Sequence, residues 1–402
     1  MTTAQQGPLR PLDGFLVLDF SQFLAGPVAA LRLADLGARV IKIERPLIGD
    51  IGRGLAFAGA RAGADTVSFH AMNRGKQSVA ADLKDPDDLA FVRRLAEQAD
   101  VVVENFRPGV MKRLGLDYDT VRATNPGVVY GSITGYGDDG PWRDRPGQDL
   151  LAQSIAALPW VQADPEPRPV GIAIADHLAS CHLAHGITAL LLRRLRTGIG
   201  GQVQTSLLEA MLDLQFEMLS VRLTEPDAVG KQHPRGPHSA HTYLPAPYGV
   251  YPTADGYLSI AMNPVPRLGA LLQIPELVQL TDPATWWDQR SRIETLIADR
   301  LRTRSTASWL TVLDAADIWC APLHTVDELV EHDGFRAIDM VQTLEREESD
   351  GARTTVTTTR LPFRLDGERL WGTGAAPVLG ADTERVRTEL APAREPVGGG
   401  IS

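Results

Sequence analysis

Cysteine is nearly absent: two occur in 402 residues, Cys181 and Cys320, far apart and outside any C-x-x-C or Cys/His zinc spacing. That excludes a disulfide-stapled scaffold and a structural zinc site, and it fits a reducing compartment. No run of about eighteen apolar residues appears, and Met1 to Arg10 is polar without an apolar signal core, so the expectation is a cytoplasmic protein with no membrane partner. Basic charge is in deficit, 40 Lys and Arg against 50 Asp and Glu, giving a net charge of -10. A protein that tracks nucleic-acid phosphates needs the opposite balance, so no nucleic-acid partner is expected.

Several catalytic signatures are missing too. There is no G-x-x-x-x-G-K-[ST], of which Gly75-Lys76 is only a fragment, no H-E-x-x-H and no G-x-S-x-G. An ATP-driven ligase and a serine hydrolase are therefore unsupported. His182 and His185 lie three apart beside Cys181 but have no further ligand in reach by sequence, so they read as packing residues and no metal is expected.

What is present is a chain 44% hydrophobic and 22% charged, enough to bury a core in more than one domain. Phe15 to Phe20 is a short apolar run, Pro27 to Leu36 has helical spacing, Gly37 stops it, and Arg39 to Glu44 is a second Val/Ile run. This is a β-α-β unit. Asp85 to Ala99 repeats the amphipathic helix, and Asp100 to Glu104 and Val128 to Ile133 repeat the strand, so a mostly parallel sheet with helices on both faces is expected. Glu44 stands where a ribose-binding acid would end the second strand. The turn from Asp19 to Gly26, however, has one glycine where a dinucleotide fingerprint needs three.

Beyond Ile174 the spacing predicts a long helix from His177 to Arg196, with Asp176 at the N-cap and Gly198 ending it, then a second helix from Ser206 to Leu223. Glu225 to Pro247, rich in Pro, Gly and His, reads as a linker or mobile flap carrying His233, His238 and His241. Tyr248 to Met262 reads as a strand pair about the turn Ala254-Asp255-Gly256, followed by helices through Leu313, and the Gly-dense tail from Ala391 as a frayed end. The expected domains are residues 1–224, a linker 225–247, a small α+β domain 248–330, and 331–402 returning to the large domain.

The carboxylate that ends the apolar approach Val170 to Ala175 is Asp176. An Asp at a helix start caps it by accepting a backbone N–H, and the same helix dipole favours an ionised nucleophile. Spacing leaves both roles open. Asp149, after Gln148, stands at another loop-to-helix transition.

Taken in order, the motifs resemble a known family. Pro11-Leu12-Asp13-Gly14, Ala25-Gly26-Pro27, Leu36-Gly37-Ala38, Ile41 to Arg45 and Asn73-Arg74-Gly75-Lys76 are followed by Val103 to Gly109, Leu114-Gly115, Gly135-Tyr136-Gly137, Gly140-Pro141, Arg196-Thr197-Gly198 and Gly201-Gln202. Together they resemble the class III CoA-transferases, the CaiB/BaiF family of formyl-CoA transferase and carnitine CoA-transferase. The resemblance implies an α/β fold: a large Rossmann-like parallel-sheet domain built from both chain ends, a small α+β domain, and two subunits interlocked as a homodimer.

It further implies that Asp176 is the nucleophile, attacking an acyl-CoA thioester and passing CoA to a small carboxylic acid through an aspartyl-CoA intermediate. That route needs no permanently bound cofactor; CoA and acyl-CoA are substrates. By the same resemblance CoA is contacted near Gln22, Phe23, Leu24, Arg45, Ala81, Asn105, Arg113 and Leu114, and Arg45 and Arg113 are suitable phosphate partners. Gln148, Asp149 and His238 are candidate substrate-site residues.

Two departures shape the reading. The α-methylacyl-CoA racemase branch carries His where this chain has Gln148, and an amide does not shuttle protons near neutral pH, so transfer is preferred over 2-methylacyl-CoA racemisation. The formyl-CoA branch has Gln at the position of Leu24, Tyr at that of Gln148 and a glycine run at Gly236 to His241, which argues against formyl or oxalyl specificity. A catalytically silent CoA-binding protein on the same fold is the third reading.

Overall fold

A computed structural model describes residues 10–161, 166–225 and 236–389. It divides into two compact units, one made of residues 1–156, 172–213 and 340–402, the other of 157–171 and 214–339.

The first unit is built on six parallel strands: β1 (Leu16–Asp19), β2 (Arg39–Glu44), β3 (Gln77–Ala80), β4 (Val101–Glu104), β5 (Val129–Thr134) and β6 (Gly201–Ser206). Their order across the sheet is β3-β2-β1-β4-β5-β6, the doubly wound arrangement whose direction of winding reverses between β1 and β4. Strands buried on both faces read as apolar runs: Val101 to Val103 is continuous, and Val40, Ile41 and Ile43 are interrupted only by the buried Lys42. Helix α1 (Ala25–Asp35) packs against α6 (Ile174–Thr197), which also covers β5 and β6. Helix α2 (Pro86–Gln98) starts on Asp85, whose carboxylate accepts from Asp87 N and Asp88 N, and it puts Phe91, Val92 and Leu95 into a core with Leu18, Ile41, Val79 and Tyr130. Helices α3 (Val110–Leu114) and α4 (Tyr118–Thr124) follow β4, and α5 (Asp149–Ile155) follows β5. The hairpin Val341–Glu347 with Arg353–Thr359 belongs to this unit, so both ends of the chain contribute to it.

The second unit contains an antiparallel sheet of Gly249–Pro252, Tyr257–Ile260 and Cys320–Pro322, with a core of Tyr251, Leu258, Leu268, Ile297, Trp309 and Leu313.

Some expectations are corrected. Residues 157–171 and 214–224 group with the second unit, which runs to Asp339 rather than to 330. The helix expected over Ser206 to Leu223 is two, Leu207–Leu214 and Phe216–Thr224, broken at Gln215, and Gly201–Ser206 before them is a sheet strand. The proposed flap is anchored in its described part: Val250 N donates to His238 O at 2.8 Å and Ala240 N to Tyr248 O at 3.1 Å, so Gly236 to His241 lies along the small sheet. His233, the N-terminal residues 1–9 and the tail from 390 lie outside the described residues.

Candidate active site

Asp176 is not an N-cap. Helix α6 begins two residues earlier, at Ile174, and Ala173 in the cap position offers no side chain to the exposed first-turn N–H groups. Asp149 supplies the cap from 27 residues away: its Oδ1 accepts from Ala175 N at 2.7 Å and from Asp176 N at 3.3 Å. Asp149 is itself the first residue of α5, yet its carboxylate serves α6. Its second oxygen accepts from Gln153 Nε2 at 2.7 Å, one turn on, and Gln153 is 1% exposed.

Two glycines set this geometry. A side chain on Gly135, just past β5, would meet Gly147 Cα at 2.6 Å, so only paired glycines let the segment entering α5 lie on the end of β5. At the far end of α6, Gly198 takes φ +73° and closes the helix as expected.

Because Asp149 occupies the first-turn N–H groups, the Asp176 carboxylate does not receive them. Burial, and secondarily the Asp149 charge, push its pKa up to about 7. Among the described residues no cation pairs with it. Near neutral pH the group is divided between acid and anion, and the anion is more basic and more nucleophilic than an ordinary carboxylate.

The residues expected to contact CoA stand mostly at the carboxyl ends of neighbouring strands. Gln22, Phe23 and Leu24 follow β1, Arg45 follows β2, Ala81 follows β3 and Asn105 follows β4. At the switch point, where doubly wound folds bind ligands, the loops after β1 and β4 are joined: Gln22 N donates to Asn105 Oδ1 at 2.9 Å, and Asn105 Nδ2 donates to Gln22 O at 2.8 Å. Arg45 is exposed and Ala81 is buried, its N–H on Glu44 O. Arg113 and Leu114 end α3, where Arg113 is exposed and Leu114 O accepts from Arg93. Gln148 precedes α5 without capping it. His238 belongs to the second unit, where its Nδ1 lies 3.1 Å from Val250 O and burial lowers its pKa.

Sequence reasoning missed a buried charge network beneath these loops. Lys76 and Lys42 are both fully buried; Lys76 Nζ lies 2.8 Å from Asp19, and Lys42 Nζ lies 2.9 Å from Asp50. Glu44, in the place of a ribose acid, instead grips Arg53 through both oxygens at 2.7 Å and accepts from Ser78 Oγ at 2.6 Å. Arg53 and Arg346 share Asp65, which ties the N-terminal strands to the C-terminal hairpin. The only signal of this in the sequence is charge inside or beside apolar strand runs.

A separate cavity of about 320 Å³ opens beside β4 and β5, lined among others by Glu104, Phe106, Ser132, Thr134 and Gln204. Burial raises Glu104 to about 8 there. Neither Asp176 nor Asp149 lines it, so it is distinct from the carboxylate site.

Comparison with known proteins identifies the family of the chain. The sequence profile of CoA-transferase family III matches residues 12–383. The succinate–glutarate CoA-transferase of Agrobacterium fabrum is 31% identical over 398 residues, covering 94% of this chain and 96% of its own. The acetyl-CoA:oxalate CoA-transferase of Acetobacter aceti is 32% identical, over 81% of this chain and 84% of its own. Among solved structures, a CaiB/BaiF family protein from Brucella suis superposes with a TM-score of 0.78 at 32% identity, over 95% of this chain and 99% of that one. The chain therefore belongs to CoA-transferase family III and is an enzyme of that class.

Proposed function

We propose that the enzyme moves CoA from an acyl-CoA thioester to a free carboxylic acid through covalent intermediates on Asp176. The observation that carries this reading is the Asp176 carboxyl: partly buried at the start of α6, without a cation among the described residues, and raised to about 7. The ionised oxygen attacks the thioester carbonyl, the C–S bond breaks, and a mixed anhydride and CoA thiolate form. The thiolate then attacks the aspartyl carbonyl of the anhydride, releasing the donor carboxylate and leaving an aspartyl-CoA thioester. The acceptor carboxylate attacks that thioester and the two steps run in reverse, which frees Asp176. No proton is consumed overall, and the thioester's free energy is kept in covalent bonds.

In this reading CoA lies along the strand ends at Gln22, Phe23, Leu24, Ala81, Asn105 and Leu114, with Arg45 and Arg113 taking its phosphates. The relatives named for succinate, glutarate and oxalate support short carboxylic acids, dicarboxylates included, as donor and acceptor. Gln148, beside Asp149, is assigned to the acid-binding side. An interlocked homodimer is assigned on the family resemblance, supported by exposed apolar side chains such as Leu195 at 71% and Val326 at 75%. Racemisation is not favoured, because the named relatives are CoA-transferases and the neighbour of Asp149 is the amide Gln148.

The test is Asp176→Ala assayed for CoA transfer across a panel of short acyl-CoA donors and acids. The wild type should turn over at least one pair and the variant none above the uncatalysed rate; retained transfer overturns the assignment.

A further inference from the structure

We infer that Asp50, paired with Lys42, is a positioning residue that holds the loop Ser21–Phe23 in the shape that receives coenzyme A. The inference rests on the reading of Gln22 to Leu24 as a CoA-contacting segment.

Phe23 adopts φ +66°, in the left-handed region that a residue with a Cβ avoids, and such a conformation persists only where its surroundings over-determine it. The surroundings here are side chains from elsewhere in the sheet. Phe23 N donates to Asp50 Oδ1 at 3.1 Å, and the same oxygen accepts from Gly52 N at 2.8 Å, so one carboxylate joins the loop after β1 to the loop after β2. The other Asp50 oxygen lies 2.9 Å from Lys42 Nζ. That ammonium also donates to Ser21 O at 2.7 Å. Between these two anchors, both backbone groups of Gln22 are taken by the Asn105 amide. Three successive residues thus have their polar backbone fixed by side chains from three separate segments.

This arrangement is costly for a turn that needs only local hydrogen bonds. Lys42 is fully buried and Asp50 is 2% exposed, so both charges are taken out of water. Lys42 faces Asp19 as well as Asp50, with Glu44 and Lys76 in the same network, so the charge is balanced on every side from which strands pack on it. Phe23, by contrast, is 41% exposed at the switch point. A buried ion pair is weak evidence for stability, but one whose hydrogen bonds converge on an exposed, strained loop at the ligand-binding edge of the sheet is explained by preorganisation.

Pure loss of preorganised binding raises KM and spares kcat. Asp50→Asn keeps the size of the side chain and removes its charge, releasing Lys42. In the full-length enzyme, with unchanged far-UV dichroism, its KM for the acyl-CoA donor is expected to rise at least about tenfold, while kcat at saturating donor falls less than about threefold. Amide exchange across residues 20–26 should accelerate in the same variant. An unchanged KM with unchanged exchange, or a fall in kcat alone, overturns the proposal.

If Asp50→Asn does not fold, the wild type decides: its Gln22 and Phe23 amides should exchange at least a hundredfold more slowly than those of the exposed segment 58–61, and equal rates contradict the clamp. Calorimetric titration of the wild type with CoA separates the two levels. No CoA binding removes the functional reading, whereas binding that Asp50→Asn retains in full removes only the clamp.

Discussion

The carboxylate of Asp149 accepts the backbone N–H of Asp176, at 3.3 Å, and that of the preceding Ala175 at 2.7 Å. A carboxylate that caps a helix ordinarily lowers its own energy by taking those donors. Here the cap and the proposed nucleophile are different residues. Asp149 takes the donors and adds a negative charge, and Asp176 is left with a raised pKa in a partly buried place. Among the described residues its oxygens have no cation and no hydrogen-bond donor, a setting that suits the nucleophile's role proposed for it.

Asp149→Asn removes the charge and keeps an oxygen for the α6 N–H groups. The pH midpoint of kcat/KM, expected near 7 in the wild type with the rate rising as Asp176 ionises, should move to lower pH. A pH–rate profile from 5 to 9 checks this.

Asp176 also predicts a stability effect. Its carboxyl pKa is about 7 in the folded chain against an ordinary 3.8, so the folded state holds the proton more tightly. The stabilisation from the protonated form is complete below about pH 4 and is lost as pH rises through 7. Asp176→Asn should therefore be more stable than the wild type at pH 8, by on the order of 1 to 3 kcal/mol given the group's partial exposure, with the gap closing toward pH 4. Chemical denaturation at the two pH values measures it.

Gln153→Leu removes the donor to Asp149 Oδ2 from a buried position. The loss should cost about 1 to 3 kcal/mol and speed amide exchange at Ala175 and Asp176, the first turn that Asp149 caps. Denaturation curves with site-resolved exchange test both parts.

Arg53→Met leaves Glu44 and Asp65 buried without the guanidinium that bridges them. Breaking one partner of such a network should destabilise by about 3 to 5 kcal/mol, far more than Arg45→Ala at an exposed position, which should stay within about 0.5 kcal/mol. The same Arg45→Ala should raise KM for acyl-CoA and weaken its salt dependence, since its assigned partner is a phosphate.

Much of the sheet was legible because its strands and helices announce themselves locally. Val101 to Val103 is an apolar run, Asp85-Pro86 opens a helix, and Gly198 closes one. Strand β6 escaped because Gly201 to Ser206, with Gln202, Gln204 and Thr205, forms the sheet's edge and lacks an apolar signature. The break at Gln215 carries no Pro or Gly, so the helical spacing ran through it. The start of α6 was misplaced because its cap, Asp149, lies 26 and 27 residues upstream of the two N–H groups it takes. Lys42, Asp50 and Lys76 gave no local sign of meeting, since a charged residue in sequence reads as surface until its partners are known.

The proposed intermediate is a covalent bond to Asp176. Wild-type enzyme mixed with succinyl-CoA and no acceptor, then measured by intact-protein mass spectrometry with and without hydroxylamine, tests it most directly. A CoA-sized adduct that hydroxylamine converts to a hydroxamate mapping to Asp176 is expected, with no adduct in Asp176→Ala. Steady transfer to glutarate with no adduct on any residue, or an adduct that survives in Asp176→Ala, would contradict it.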